Sequence, residues 1–93
     1  MTGNCANIKS ITGNYMLIEV VERSIHEPKF FETYQGAFDE MAGRMAQAMG
    51  MDVSELVDKY YDSDDCNAGI SENVAFCENR NHENCDWRIC EVA

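Results

Sequence analysis

The segment from Tyr34 to Met49 constrains the fold of this chain more than any other. Its apolar residues recur every three or four positions, which places them in one stripe along an α-helix. The stripe consists of Tyr34, Ala37, Phe38, Met41, Ala42, Met45, Ala48 and Met49. Thr33 is placed to cap the start of this helix and Gly50 to end it. Because an apolar stripe must be buried against another layer, the rest of the chain has to supply that layer.

Strand-like segments lie on both sides of this helix in the sequence. The run YMLIEVVE at 15–22 is rich in β-formers and largely apolar on both faces, so it predicts an interior strand. A short strand at 29–32 is predicted to complete a β-hairpin with it. Towards the end of the chain, strands at 71–79 and 85–93 are predicted to form a second hairpin around the polar turn at 80–84.

A second, shorter helix is predicted before the last hairpin. Asp52 and Glu55 have the D-x-x-E spacing that is typical of a helix start. Its apolar face consists of Val53, Leu56, Val57 and Tyr60. The predicted fold is α+β: a two-layer domain with a small antiparallel sheet and two helices on one face, in the order β-β-α-α-β-β. We expect one domain over 1–93, since 93 residues cannot support two cores, with 1–13 as a loosely structured arm.

The register of the last hairpin decides which of its side chains face the helices. If paired residues have an odd sum, the face towards the methionine-rich helix consists of Val74, Phe76, Trp87 and Ile89. The side chains then expected on the reverse face are those of Ala75, Cys77, Cys90 and Val92.

Three segments carry a resemblance to known proteins: the strand YMLIEVVE, the segment KFFETYQGAFDEM that enters the helix, and the closing strand with Trp87 and Ile89. Together they resemble small uncharacterised bacterial α+β proteins. In those proteins an aromatic-x-Thr step caps a helix that packs on a small antiparallel sheet. The resemblance covers residues 15–45 and the terminal strand. It implies the same fold class and supplies no functional residue.

The charge of the chain is strongly negative and uneven. Seventeen acidic and seven basic residues give a net charge of −10, with −2 in residues 1–50 and −8 in residues 51–93. Such a field repels phosphate backbones, so we expect no nucleic-acid binding, and it favours a basic protein partner. The predicted interaction surface consists of Asp62, Asp64, Asp65, Glu78, Glu83 and Asp86. The alternative is an acidic surface that only keeps the protein soluble.

Nothing in the sequence indicates a membrane segment. The longest apolar run, at 15–21, contains Glu19 and is too short to cross a bilayer. The first ten residues have no apolar core of the kind that a signal peptide needs. We therefore expect a soluble, cytoplasmic protein.

The cysteines allow three interpretations. There are five of them, at positions 5, 66, 77, 85 and 90, and in a reducing cytosol we expect free thiols. A structural zinc site is the alternative, with ligands drawn from Cys66, Cys77, His82, Cys85 and Cys90. Their spacing lacks the C-x2-C pairs of common zinc sites. A disulfide between Cys77 and Cys90 is a third interpretation.

No pattern in the sequence is typical of catalysis. The only histidines are His26 and His82, and nothing places either beside a nucleophile. No phosphate-binding loop appears, and no cofactor is predicted. We predict a small interaction or regulatory module without catalytic activity, which uses its acidic C-terminal half or an open sheet face. A further hypothesis is homodimerisation, which can accompany this role. It would use the helix face that carries Gly36 and Gly43, or a sheet edge.

Overall fold

Two long strands from opposite ends of the sequence form the centre of the sheet. The structure is a computed structural model, and it describes residues 14–92. Strand β1 (Tyr15–Val21) pairs antiparallel with β6 (Asn84–Glu91) along the full length of β1. The predicted arm at 1–13 lies outside the described residues.

Shorter strands extend the sheet on both sides of this central pair. Strands β2 (Ser24–Ile25) and β3 (Lys29–Phe31) pair with β1, and β5 (Val74–Glu78) pairs with β6. Strand β4 (Gly69–Ile70) pairs with β5 at the far edge. All these pairings are antiparallel, in the order β2-β1-β6-β5-β4 with β3 also beside β1. The two-residue strands β2 and β4 are additions to the predicted order.

Helix α1 (Tyr34–Met49) has the predicted ends. The side chain of Thr33 accepts a hydrogen bond from the Gly36 N–H at 3.0 Å, which caps the first turn. Gly50 ends the helix in the left-handed conformation, with φ at 72°, which glycine adopts without steric cost. A Cβ atom at Gly36 would lie 3.2 Å from the Thr33 hydroxyl, whereas one at Gly43 would meet no described atom within 4 Å.

Helix α2 (Val53–Tyr60) follows after a short connection and packs against α1 and β4. The Asp52 N–H lies 3.4 Å from the Glu55 carboxylate, which confirms the predicted helix start. Both helices lie on one face of the sheet, so the two-layer α+β prediction is confirmed. Within 14–92, no helix has the length and apolar character that a membrane crossing requires.

The core lies between this helical layer and the sheet. Its largest fully buried side chains are those of Leu17, Met41, Met45 and Leu56. Burying a side chain of this size stabilises the fold by about 1.5–3 kcal/mol. Met41 and Met45 on the apolar stripe are therefore core residues.

The predicted register of the last hairpin is wrong. Ala75 lies opposite Trp87 and Cys77 opposite Cys85, so paired residues have an even sum. A shift of one residue moves every side chain of a strand to the other face. Ala75 and Cys77 are consequently buried under the helices, and Phe76 lies on the reverse face. Val74 shares that reverse face.

Asn79 sets this register at the turn between β5 and β6. Its backbone N–H donates to the Glu83 carbonyl, and its side-chain oxygen accepts the N–H groups of Asn81 and Glu83. These bonds place residue 79 opposite residue 83. They thereby fix the even-sum pairing of β5 and β6 on the two sides of the turn. The predicted positions of Trp87 and Ile89 towards the helices and of Cys90 on the reverse face are confirmed.

Candidate interaction surface

The sheet face that points away from the helices is largely apolar. We call it the bare face, because no element of residues 14–92 covers it. Its apolar side chains are those of Met16, Ile18, Val20, Ile25, Phe30, Val74, Phe76 and Cys90. The Ile25 side chain is 76% exposed and that of Phe76 is 36% exposed. Apolar side chains clustered on one face mark an interaction site more often than scattered exposed residues do.

The centre of the bare face is a shallow groove of about 410 Å³. Two rows of residues cross it at right angles to the strands. One row consists of Ile18, Arg88 and Val74, and the next consists of Val20, Asp86 and Phe76. Each row therefore carries one charged side chain on β6 between two apolar side chains on its neighbours.

Phe76 is held in this groove by the strand beside it. Its ring lies over Gly69 of β4, where an added Cβ atom would come within 2.9 Å of the ring. Only glycine permits so close an approach. The aromatic ring is thus fixed on the bare face rather than turned into solvent.

Asp86 and Arg88 are the charged residues of the groove. Both side chains are exposed, and they lie two residues apart on the same face of β6. Neither forms an ion pair with another residue of 14–92. With respect to residues 14–92, the groove therefore offers one unpaired negative group and one unpaired positive group.

The predicted acidic surface divides into exposed and structural residues. In the loop before β4, Asp62 and Asp64 are exposed. Asp65 accepts the N–H groups of Asn67 at 2.7 Å and Ala68 at 3.2 Å, so it shapes the loop.

The acidic residues of the last hairpin divide in the same way. Glu83 accepts a hydrogen bond from the Asn79 amide at 3.0 Å and braces the turn. Glu78 is exposed, 3.7 Å from His82, and together with Asp86 it lines a groove of about 350 Å³. The structure therefore brings Glu78 and Asp86 together and commits Glu83 to the turn.

The predicted zinc ligands lie in three different places. Cys66, Cys77 and Cys85 line one groove, whereas Cys90 lies on the opposite face of β6. The side chain of His82 is 86% exposed in the turn. Among residues 14–92, no group of three or more histidine, cysteine or acidic side chains is arranged to hold a metal ion. The zinc interpretation stays a prediction.

Among the described cysteines, Cys77 and Cys85 lie directly opposite each other on neighbouring strands, and both are buried under the helices. Burial, together with the neighbouring Cys85, raises the pKa of Cys77 to about 12. Burial also raises the pKa of Cys85. The Cys77–Cys90 disulfide interpretation is wrong, because Cys77 points towards the helices and Cys90 points away from them.

A partly buried carboxylate on the covered face was missed by the sequence analysis. The Glu19 side chain is 16% exposed. Trp87 Nε1 donates to it at 2.6 Å, His26 Nδ1 lies at 2.8 Å and Arg44 Nη1 at 3.4 Å. Burial raises the pKa of Glu19, but these hydrogen bonds and the positive charge of Arg44 outweigh it and hold the pKa below its ordinary value.

This carboxylate cluster has a structural role. Within 14–92, the side chain and the backbone N–H of His26 both bond to Glu19, and no hydroxyl or thiol is hydrogen-bonded to the ring. The cluster therefore ties the β2 turn and α1 to the centre of the sheet. The only local signal for it was the charge of Glu19 within an otherwise apolar strand.

Comparison with known proteins found no matching family model, no matching curated protein and no matching solved structure. The resemblance to small bacterial α+β proteins stays a prediction. The function has to be argued from the surfaces themselves.

Proposed function

We propose that this chain is a small protein-interaction module without catalytic activity, and that it binds protein on its bare face. The observation that carries the proposal is the pair of apolar strips on either side of β6, with Ile18 and Val20 on β1, Phe76 on β5, and Ile25 exposed beyond β1. Each square ångström of apolar surface removed from water contributes about 25 cal/mol. A protein partner that covers this face would recover that free energy.

The size of the bare face supports a protein partner over a small ligand. Neighbouring strands lie about 4.8 Å apart, so the five strand positions of the sheet are about 19 Å wide. The eight residues of β6 are about 26 Å long. Because the outer strands have only two or three residues, the strand residues cover about 430 Å² rather than the full rectangle, an area typical of weak or transient protein interfaces. The central groove is too shallow and open to enclose a small molecule.

The exposed acidic residues support a basic protein as a partner of the remaining surface. Asp62, Asp64 and Glu78 make no ion pair with lysine or arginine within the described residues. Their charge adds to a C-terminal half that already carries −8. A basic partner drawn by this field would bind more weakly as salt screens it.

A cytoplasmic location is part of the proposal. Its support is the state of the cysteines: Cys66, Cys77, Cys85 and Cys90 are all free thiols in the structure. Free thiols in a small protein are typical of a reducing compartment, whereas exported domains of this size commonly pair them.

The experiment is affinity capture from native lysate with three versions of the tagged full chain. Ile25→Asp places a charge on the bare face, and Val53→Asp is the matched control, since Val53 is 44% exposed in the helical layer. We expect proteins captured by the wild type to be retained by Val53→Asp and reduced at least about tenfold by Ile25→Asp. Equal capture by all three versions, or no capture at low salt, would contradict the proposal.

A further inference from the structure

The bare face has an arrangement of charge that favours one kind of partner. A basic or an acidic protein would be attracted by a face of a single sign, but the centre of this face carries one charge of each sign, Asp86 and Arg88. They are neighbours on one face of one strand. A surface of this kind is complementary to a second copy of itself, provided that the copy is turned end to end.

Resting on the proposed function, we propose that the protein bound on the bare face is a second copy of this chain, packed sheet to sheet across a two-fold axis. The axis lies in the interface at right angles to β6, at the level of Trp87. Since rotation about this axis reverses the strand, Asp86 lies opposite Arg88 of the partner subunit. The same pair forms again on the other side of the axis.

The same two-fold axis also brings apolar side chains of β1 opposite β1 of the partner subunit, and those of β5 opposite β5. Register places Ile18 and Val74 at the level of Arg88, and Val20 and Phe76 at the level of Asp86. Rotation therefore sets Val20 over Ile18 of the partner subunit, and Phe76 over Val74 of the partner subunit. Every contact in the centre is then apolar against apolar or negative against positive.

The opposite choice of axis is unfavourable. A two-fold axis parallel to β6 would set Asp86 over the same carboxylate of the partner, and Arg88 over the same guanidinium. Like charges placed face to face in an interface repel each other strongly. The charge pattern on β6 thus selects the antiparallel arrangement.

The available area suits a weak dimer. Two faces of about 430 Å² each bury a total of about 860 Å², just below the roughly 1,000 Å² of a stable specific interface. Packed sheets lie about 10 Å apart, a distance that opposed arginine and aspartate side chains can bridge. An interface of this size predicts a dimer in exchange with monomer rather than a permanent one.

The experiment is sedimentation equilibrium of the full chain from about 1 µM to 1 mM, with charge reversals at the centre of the face. We expect the wild type to pass from monomer to dimer over this range. Arg88→Asp makes both ionic contacts repulsive, so its dissociation constant should rise at least about 100-fold. The double variant Asp86→Arg/Arg88→Asp restores opposite charges and should return to within about threefold of the wild type.

Each other outcome overturns the inference. A wild type that is monomeric at 1 mM shows that no second copy binds, while capture that depends on Ile25 would still support the proposed function. A dimer that Arg88→Asp leaves unchanged lies elsewhere on the molecule, for example at a sheet edge. Failure of the double variant to recover would also refute the pairing, provided that its circular dichroism spectrum and thermal unfolding match those of the wild type.

Discussion

Leu17 and Ile18 are neighbours on β1, and they show how differently the two faces of the sheet are used. Leu17 lies fully buried beneath the helices, whereas Ile18 lies on the bare face. Both are large aliphatic residues in the same strand. They lie on opposite sides only because successive side chains of a β-strand point to opposite faces of the sheet. Apolar character therefore did not decide which face became the core. The position of the helices decided it, and it left the apolar side chains of the other face uncovered by residues 14–92.

The largest expected difference between the faces is in the free energy of unfolding. Leu17→Ala leaves a cavity beneath α1 and should cost about 2–5 kcal/mol. Ile18→Ala, measured at a concentration where the chain is monomeric, should cost less than about 1 kcal/mol, because solvent already reaches that site. Urea unfolding followed by circular dichroism measures both. Equal losses would mean that the bare face is packed in the isolated chain.

The next effect concerns the charged residue of the covered face. Since the folded-state pKa of Glu19 is lowered, its ionised form stabilises the fold above its unfolded pKa of about 4.5, and this stabilisation is lost as pH falls through the folded pKa. Glu19→Gln should cost about 1–3 kcal/mol at pH 7. Its free energy of unfolding should also change less than that of the wild type as the pH falls below about 4.5.

Arg88→Gln is the matched control for this titration, since it removes a charge from the bare face of the same sheet. We expect the pH dependence of its free energy of unfolding to follow that of the wild type. If Glu19→Gln and the wild type lose stability in parallel under acid conditions, the carboxylate cluster does not stabilise the fold as described.

Thiol modification compares the covered face with an exposed loop, without substitution. With a pKa of about 12, only about one Cys77 thiol in ten thousand is ionised at pH 8. We expect the exposed Cys66 to react first, and Cys77 and Cys85 to react only when the chain unfolds. Alkylation mapped by mass spectrometry, with a sample in 6 M guanidinium as the fully reactive reference, measures this order. Rapid native labelling of Cys77 would show that the helical layer opens.

The smallest expected effect is that of metal removal. Under native conditions we expect less than about 0.1 zinc per chain, and the midpoint of thermal unfolding should shift by less than about 1 °C with EDTA. Elemental analysis and thermal unfolding measure the two quantities. One zinc per chain together with a large shift would favour the structural zinc interpretation and would require Cys77 and Cys85 to ionise.

Local chemistry in the sequence determined the secondary structure well. Thr33 and Gly50 mark the ends of α1 because a cap and a left-handed residue act within one turn of the helix. The periodicity between them gave the stripe that is buried. The same short-range reasoning placed β1, β3 and α2 within one residue of their observed ends.

Only the tertiary structure decided the faces. The even-sum pairing of β5 and β6 follows from how Asn79 closes the turn, a local contact that the apolar pattern did not reveal because both registers bury plausible apolar side chains. The carboxylate cluster joins Glu19 to Trp87, which lies 68 residues away, and no local pattern encodes such a contact. Since β1 is apolar on both sides, its sequence could not say which face the helices would cover. That choice depends on long-range packing, and it determines which apolar side chains of the sheet stay exposed.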